Sequence, residues 1–193
     1  MSDRRPSGRQ GKAAPFAYAA LLRGINVGGK NKLPMKDLCA MFVDLGCTDV
    51  RNYIQSGNIL FTAAPSLASD VPALITRAIA DRFGLAVPVV LRSAAELREA
   101  AAHNPFLEVE GSSDWLAVGF LAAPPTPERV KTLDPHRSPP DAFALCGREI
   151  YLRCPNGLGL TKLNTNYFDA KLKTVSTFRN WRTVLTLIDM LGA

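Results

Sequence analysis

Residues 49–63, DVRNYIQSGNILFTA, decide the fold. Ser56-Gly57 is a tight-turn signal between two extended runs, DVRNYIQ (49–55) and NILFTA (58–63), so the stretch reads as a β-hairpin. Upstream, FAYAALLR (16–23) reads as a buried strand that stops at Gly24, and the loop GINVGGKNKL (24–33) follows. Pro34 then opens a helix to about Gly46, with Leu38, Met41, Phe42 and Leu45 on one face. Downstream, a helix spans about 67–83, with Leu67, Val71, Leu74, Ile75, Ala78, Ile79 and Phe83 on one side and Gly84 as its C-cap. PVVLR (88–92) is a short strand. The order around the hairpin is β-α-β-β-α-β, the ferredoxin-like arrangement.

The pattern recurs further on. A short helix over about 94–102 ends before His103-Asn104-Pro105, and an acidic Gly/Ser loop over 107–114 marks a boundary. WLAVGFLA (115–122) reads as a strand, with Trp115 expected in the core, and a helix over 128–133 follows the proline run 124–127. Strands 142–146 and 149–153 flank Gly147-Arg148 as a second hairpin. A helix lies within 159–172, a short β-branched strand within 174–178, and Asn180 caps a last helix whose Trp181, Val184, Leu185, Ile188 and Leu191 share a face. The expected organisation is a disordered basic tail (1–15), a ferredoxin-like half (16–103), a linker (104–113) and a second ferredoxin-like half (114–193) with a C-terminal helix. The fold class is α+β, with the halves packed together. They repeat an architecture without a convincing residue-level repeat.

Composition agrees with a globular chain: 47% of the 193 residues are hydrophobic and 21% charged. No apolar run approaches the ~20 residues a bilayer helix needs. The net charge is +6. Half of that excess sits in the first 15 residues, where Arg4, Arg5, Arg9 and Lys12 face Asp3 alone. The N-terminus has no apolar segment of a secretory signal. Cys39, Cys47, Cys146 and Cys154 show no paired spacing and read as small buried hydrophobes in a reducing cytoplasm. Two histidines without ligand spacing point to no metal and no cofactor.

In this topology the loop after the first strand and the hairpin after the second lie at one end of the sheet. Together they hold Arg23, Asn26, Lys30, Asn31, Lys32, Gln55, Ser56 and Asn58: three cations and no carboxylate. Gly24, Gly28 and Gly29 free backbone N–H groups to approach a ligand, and the Pro34 helix aims its N-terminus at the same region. A second cluster, Thr161, Lys162 and Asn164 with Thr177, Arg179 and Asn180, lies at one end of the other sheet, and the two clusters are expected to line one cleft. Asn180 and Trp181 also read as cap and packing residues, which leaves Arg179 for ligand contact.

Sharper motifs fit less well. Gly24–Asn31 matches G-x-x-x-x-G-K, but Asn31 stands where a phosphate loop needs Ser or Thr, and the helix starts too late. RNA-recognition modules share this topology but need aromatics on the central strands, and NILFTA offers only Phe61. His103 and His136 read as surface histidines with no nucleophile at a motif spacing.

ALLRGINVGGKNKLPM (20–35), YIQSGNILF (53–61), VPVVLRSAAEL (87–97), NPF (104–106), GLGLTKLNTNYF (157–168) and STFRNWRTVLTL (176–187) resemble the bacterial domain of unknown function 1697 family. The resemblance implies a cytoplasmic protein of two ferredoxin-like subdomains and implies no activity. The expectation is a protein that binds a phosphate-bearing anion, a nucleotide or a nucleic-acid backbone. Arg23, Lys30, Lys32, Lys162 and Arg179 would supply charge, Asn26, Ser56 and Asn58 would orient the ligand, and Gly28 and Gly29 would offer backbone N–H groups. Two alternatives stay open: an enzyme acting on a small phosphorylated or carboxylated metabolite, and a non-catalytic protein-interaction module. The oligomeric state is not legible.

Overall fold

The computed structural model describes residues 14–28, 31–109 and 113–192. The first half runs β1 (Phe16–Leu22), α1 (Met35–Asp44), β2 (Thr48–Tyr53), β3 (Asn58–Ala63), α2 (Pro65–Phe83), β4 (Val89–Ser93) and α3 (Ala94–Ala102). The second runs β5 (Leu116–Leu121), α4 (Pro127–Val130), β6 (Ala142–Cys146), β7 (Glu149–Arg153), α5 (Thr165–Leu172), β8 (Ser176–Asn180) and α6 (Trp181–Met190). Each half forms a four-stranded antiparallel sheet, ordered β2-β3-β1-β4 and β6-β7-β5-β8. These are two ferredoxin-like halves, each followed by one more helix. Most of the basic tail expected at 1–15, part of the linker expected at 104–113, and Gly29 and Lys30 lie outside the described residues.

The inner strands β1, β3 and β5 are largely buried because both faces of each sheet are covered there. Ala20 and Leu22 of β1 pack with Phe42 of α1 and with Val71, Ile75 and Ile79 of α2. Ala19 and Leu21, pointing the other way, join Val118 and Phe120 of β5, Leu97 of α3 and Trp181, Val184 and Leu187 of α6. A third cluster, with Ile150, Leu152, Phe168 and Leu172, lies under α5. Each buried Val, Leu, Ile or Phe side chain contributes roughly 1.5–3 kcal/mol, and the central cluster draws such side chains from both halves. The helices α3 and α6 enter the central layer because both are capped where β4 and β8 end. Ser93 and Glu96 form a reciprocal capping box, and the Asn180 side chain accepts from the Thr183 N–H.

Several local readings change. Pro34 stands before α1 in extended backbone rather than inside it. The helix α4 is a single turn, and β8 begins at Ser176 and reaches Asn180. Trp115 is half-buried, with the Arg153 guanidinium 5.6 Å from its ring centre. Cys146 is exposed, because it closes edge strand β6 just before the Gly147 turn.

Candidate functional site

The strands β4 and β8 each place an arginine one residue before a helix cap. Arg92 pairs in register with Ala19 of β1, and Arg179 with Val118 of β5. Each side chain then crosses into the opposite half. Arg92 Nη2 donates to the carbonyls of Leu121 (2.9 Å) and Arg148 (3.1 Å), and its Nε donates to Glu149 Oε1 at 3.0 Å. Arg179 Nη2 donates to the carbonyls of Leu22 (2.7 Å) and Gly57 (3.2 Å), and its Nε donates to Asn58 Oδ1 at 2.6 Å. Leu22 and Leu121 end β1 and β5, Gly57 and Arg148 close the hairpins, and Asn58 and Glu149 open β3 and β7. The two halves therefore repeat this bonding pattern position by position. The difference is an amide where the other half has a carboxylate.

That difference sets the electrostatics. Arg92 is 1% exposed. Burial and the nearby Arg148 push its pKa down, and Glu149 opposes them. Arg148 in turn pairs with Glu96, so the charges on that side balance. Arg179 is 9% exposed, and burial alone pushes it down to about 10. It remains cationic at neutral pH with no ion pair to a carboxylate among the described residues. A buried charge without a counter-charge is costly unless hydrogen bonds surround it. Here Nη1 also donates to Thr177 Oγ1 (2.8 Å) and the Phe178 carbonyl (2.9 Å).

Two hydrogen-bond chains start at this guanidinium. One passes directly to Thr177 Oγ1. The other passes through Asn58, whose Nδ2 donates to Ser56 Oγ at 3.2 Å. Each hydroxyl accepts from its own chain and keeps one proton to donate. Ser56, half-buried, and Thr177, 2% exposed, are both lining residues of a cleft of about 420 Å³. Arg23 and Gly24 after β1, Val27 of the next loop and Ile54 of the hairpin form one wall. Thr165 at the start of α5 and Asn180 and Thr183 at the start of α6 form another, so two helix N-termini face the same space. Phe178 also lines the cleft, and its ring packs over Gly119, where a Cβ would come within 2.4 Å of it.

The counterpart cleft, about 310 Å³, is lined by Pro72, Val89, Val90 and Leu91, with Glu96 and Arg148 as its charged groups. A further cleft of about 340 Å³ gathers Glu96, Glu99 and Glu149 around Arg148 and His103, a setting hostile to anions.

Among the expected residues, Arg23, Gly24, Ser56, Thr177, Arg179 and Asn180 line the main cleft, so parts of both clusters meet there. The expectation of a site without carboxylates is corrected: α5 brings Asp169 against Arg23. Asp169 is itself held by the N–H and hydroxyl of Ser176, at 2.8 and 2.6 Å. Asn26 and Asn58 do not aim their amides at a ligand. Asn26 is the spine of its loop, donating to the carbonyls of Leu33 (2.9 Å) and Gln55 (3.0 Å) and accepting from the Leu33 N–H (2.8 Å). Asn58 is fully buried behind Ser56. Gly28, Lys32 and Lys162 are exposed and do not line the cleft, and the Lys162 N–H is held by Ser138 Oγ at 3.1 Å. The helix N-termini at the cleft belong to α5 and α6, whereas α1 lines no part of it.

Thr183 was within reach of sequence reasoning as the third residue of a capped helix. Val27, Ile54, Thr165 and Asp169 carried no local signal. Phe61 is buried against Tyr18 and Phe42 and presents no aromatic surface to RNA. His103 is exposed, with Nδ1 2.8 Å from the Glu99 carbonyl. Among the described residues no group of three or more His, Cys, Asp or Glu side chains is placed to hold a metal, and no helix is long and apolar enough to cross a membrane.

The family described as "Protein of unknown function (DUF1697)" matches residues 16–151. Among solved structures, the conserved bacterial protein SP0830 from Streptococcus pneumoniae is similar, with 22% identity and a TM-score of 0.65 over 93% of this chain and 100% of that one. At that identity the likeness speaks to the fold alone. No curated protein matches the chain.

Proposed function

This chain belongs to the DUF1697 family of proteins of unknown function, and we propose that it binds a phosphate-bearing anion in the cleft beside Arg179. One observation carries the reading: a buried arginine without a carboxylate heads two hydrogen-bond chains that end on the cleft hydroxyls of Ser56 and Thr177. An anion there supplies the charge that Glu149 supplies to Arg92. At separations of about 4–8 Å and an effective dielectric near 20, that attraction is on the order of 2–4 kcal/mol before screening. The guanidinium donors of Arg179 are all engaged, so direct contacts fall to the two hydroxyls, Thr165, the first N–H groups of α5 and α6, and Arg23. The protein is read as cytoplasmic, where its four free cysteines remain thiols.

The test is calorimetric titration with inorganic phosphate and with small phosphoesters, on the native chain and on S56A/T177V. The native chain binds, and the double variant loses at least about tenfold in affinity, because each hydroxyl removed is worth roughly 1 kcal/mol. No binding of any phosphate by the native chain ends the reading.

The cleft volume, about 420 Å³, also favours a second reading, catalysis on a small phosphorylated metabolite. Among the described lining residues there is no histidine or cysteine. Asp169, the nearby carboxylate, is bound by Arg23 and Ser176. Turnover of a bound phosphoester would establish this second reading.

A further inference from the structure

The cleft is larger than a phosphate requires, and its lining includes two exposed aliphatic side chains. A tetrahedral anion displaces a few waters, each about 30 Å³, against a cleft of about 420 Å³. The two aliphatic residues are Val27, 61% exposed, and Ile54, 49% exposed. Single exposed aliphatic residues are ordinary, but these two line one cleft.

Ile54 is also held at φ 48°, in the left-handed region. For a β-branched residue this is a true outlier, costing of order 1–3 kcal/mol, and such strain clusters at binding sites. Asparagine or glycine would satisfy that backbone without strain. The two residues are also tied together through their neighbours. Asn26, next to Val27, donates to the Gln55 carbonyl, next to Ile54, so the loop is fastened to the hairpin beside both lining residues.

Resting on the anion-binding reading, we infer that the ligand is a single nucleotide, its phosphate at Ser56 and Thr177 and its base laid across Val27 and Ile54. An open cleft flanked by two aliphatic side chains suits a flat ring, which covers them while its polar edge stays in water. An alkyl chain would need an enclosed sleeve. A nucleic-acid strand would need cations continuing along its path, and among the described residues Lys32 and Lys162 lie off the cleft.

The experiment is calorimetric titration of the full chain with inorganic phosphate, AMP, UMP and a short single-stranded oligonucleotide, repeated on I54N and V27S. The expected result is that AMP binds at least about tenfold more tightly than phosphate, the value of removing roughly two methylene-equivalents of apolar surface from water. Each substitution shrinks that ratio, and I54N melts no lower than the native chain. Equal affinity for AMP and phosphate, or a ratio both variants leave unchanged, overturns the inference and leaves anion binding standing. Binding of the oligonucleotide alone, falling steeply with salt, overturns it in favour of a strand-binding groove. Binding of none of the four overturns both.

Discussion

Arg92 and Arg179 stand at the same position in the two halves and reach matching pairs of carbonyls across the interface, but Arg92 meets the Glu149 carboxylate at 3.0 Å and Arg179 meets the Asn58 amide at 2.6 Å. The flanking bonds match as well. Leu22 N–H donates to the Gly57 carbonyl at 2.8 Å, and Leu121 N–H donates to the Arg148 carbonyl at 2.9 Å. One copy of the arrangement is neutralised and backed by a cleft whose charged groups, Glu96 and Arg148, pair with each other. The other keeps its charge and opens onto hydroxyls.

Removing the carboxylate from the neutral copy isolates what that pairing contributes. Glu149→Gln leaves Arg92 buried beside an amide, without the cleft hydroxyls that surround Arg179. Breaking a buried pair in this way costs roughly 3–5 kcal/mol. The lower end is expected because the Glu149 side chain keeps 18% exposure. Urea denaturation of the variant checks the loss of stability.

Arg179→Lys keeps the charge and discards the fork. Lysine cannot reach Leu22, Gly57, Asn58 and Thr177 together. The expected cost is about 3 kcal/mol, from charged hydrogen bonds lost and carbonyls left unpaired. For a chain of this size, that lowers Tm by roughly 6–12 °C. A melt within a degree or two of the native value would mean the fork contributes little to joining the halves.

Gly57→Ala tests the hairpin that carries Ser56. Gly57 has φ 79°, and a Cβ there would lie 2.8 Å from Leu22 Cβ and 3.1 Å from Ile25 Cγ1. Left-handed strain of about 1 kcal/mol adds to overpacking of about 1–3 kcal/mol. Denaturant unfolding is expected to show the sum, and anion affinity is expected to fall with it as Ser56 shifts.

The sequence made some of this legible and hid the rest, for physical reasons. Apolar periodicity located α1, α2 and α6, and turn pairs located both hairpins, because these signals are local. Apolar residues on both faces of FAYAALLR showed a covered strand but not what covers each face. The meeting of Ala19 and Leu21 with Val118 and Trp181 was therefore hidden. Arg179 near a strand end looked like an exposed ligand-binding cation. Its burial follows from the packing of two halves about 120 residues apart in sequence, since its partner is Asn58. Asp169 was missed because α5 was placed only loosely, and Asn26 because a loop spine and a ligand donor look alike in sequence.

Acid should weaken the neutral copy through Glu96. Burial by itself raises this carboxyl, but the bonds from Ser93 and the charge of Arg148 outweigh it and hold the group below its ordinary 4.5. A carboxyl lowered by folding stabilises above its unfolded value and loses that contribution as pH falls through its folded value. The Tm gap between the native chain and E96Q is therefore expected to be widest near neutrality and to close as pH falls past 4.5 and through the lower folded value.

The most direct test of the Arg179 account is to restore the missing carboxylate with Asn58→Asp and titrate phosphate. The aspartate neutralises Arg179 and, having no N–H, turns the Ser56 proton inward to itself and away from the cleft. Phosphate is expected to bind the native chain and raise its Tm by roughly 5–10 °C at about a hundred times Kd. The N58D protein, still folded by circular dichroism, is expected to show no such shift. A folded N58D protein that binds phosphate as tightly as the native chain would contradict the account.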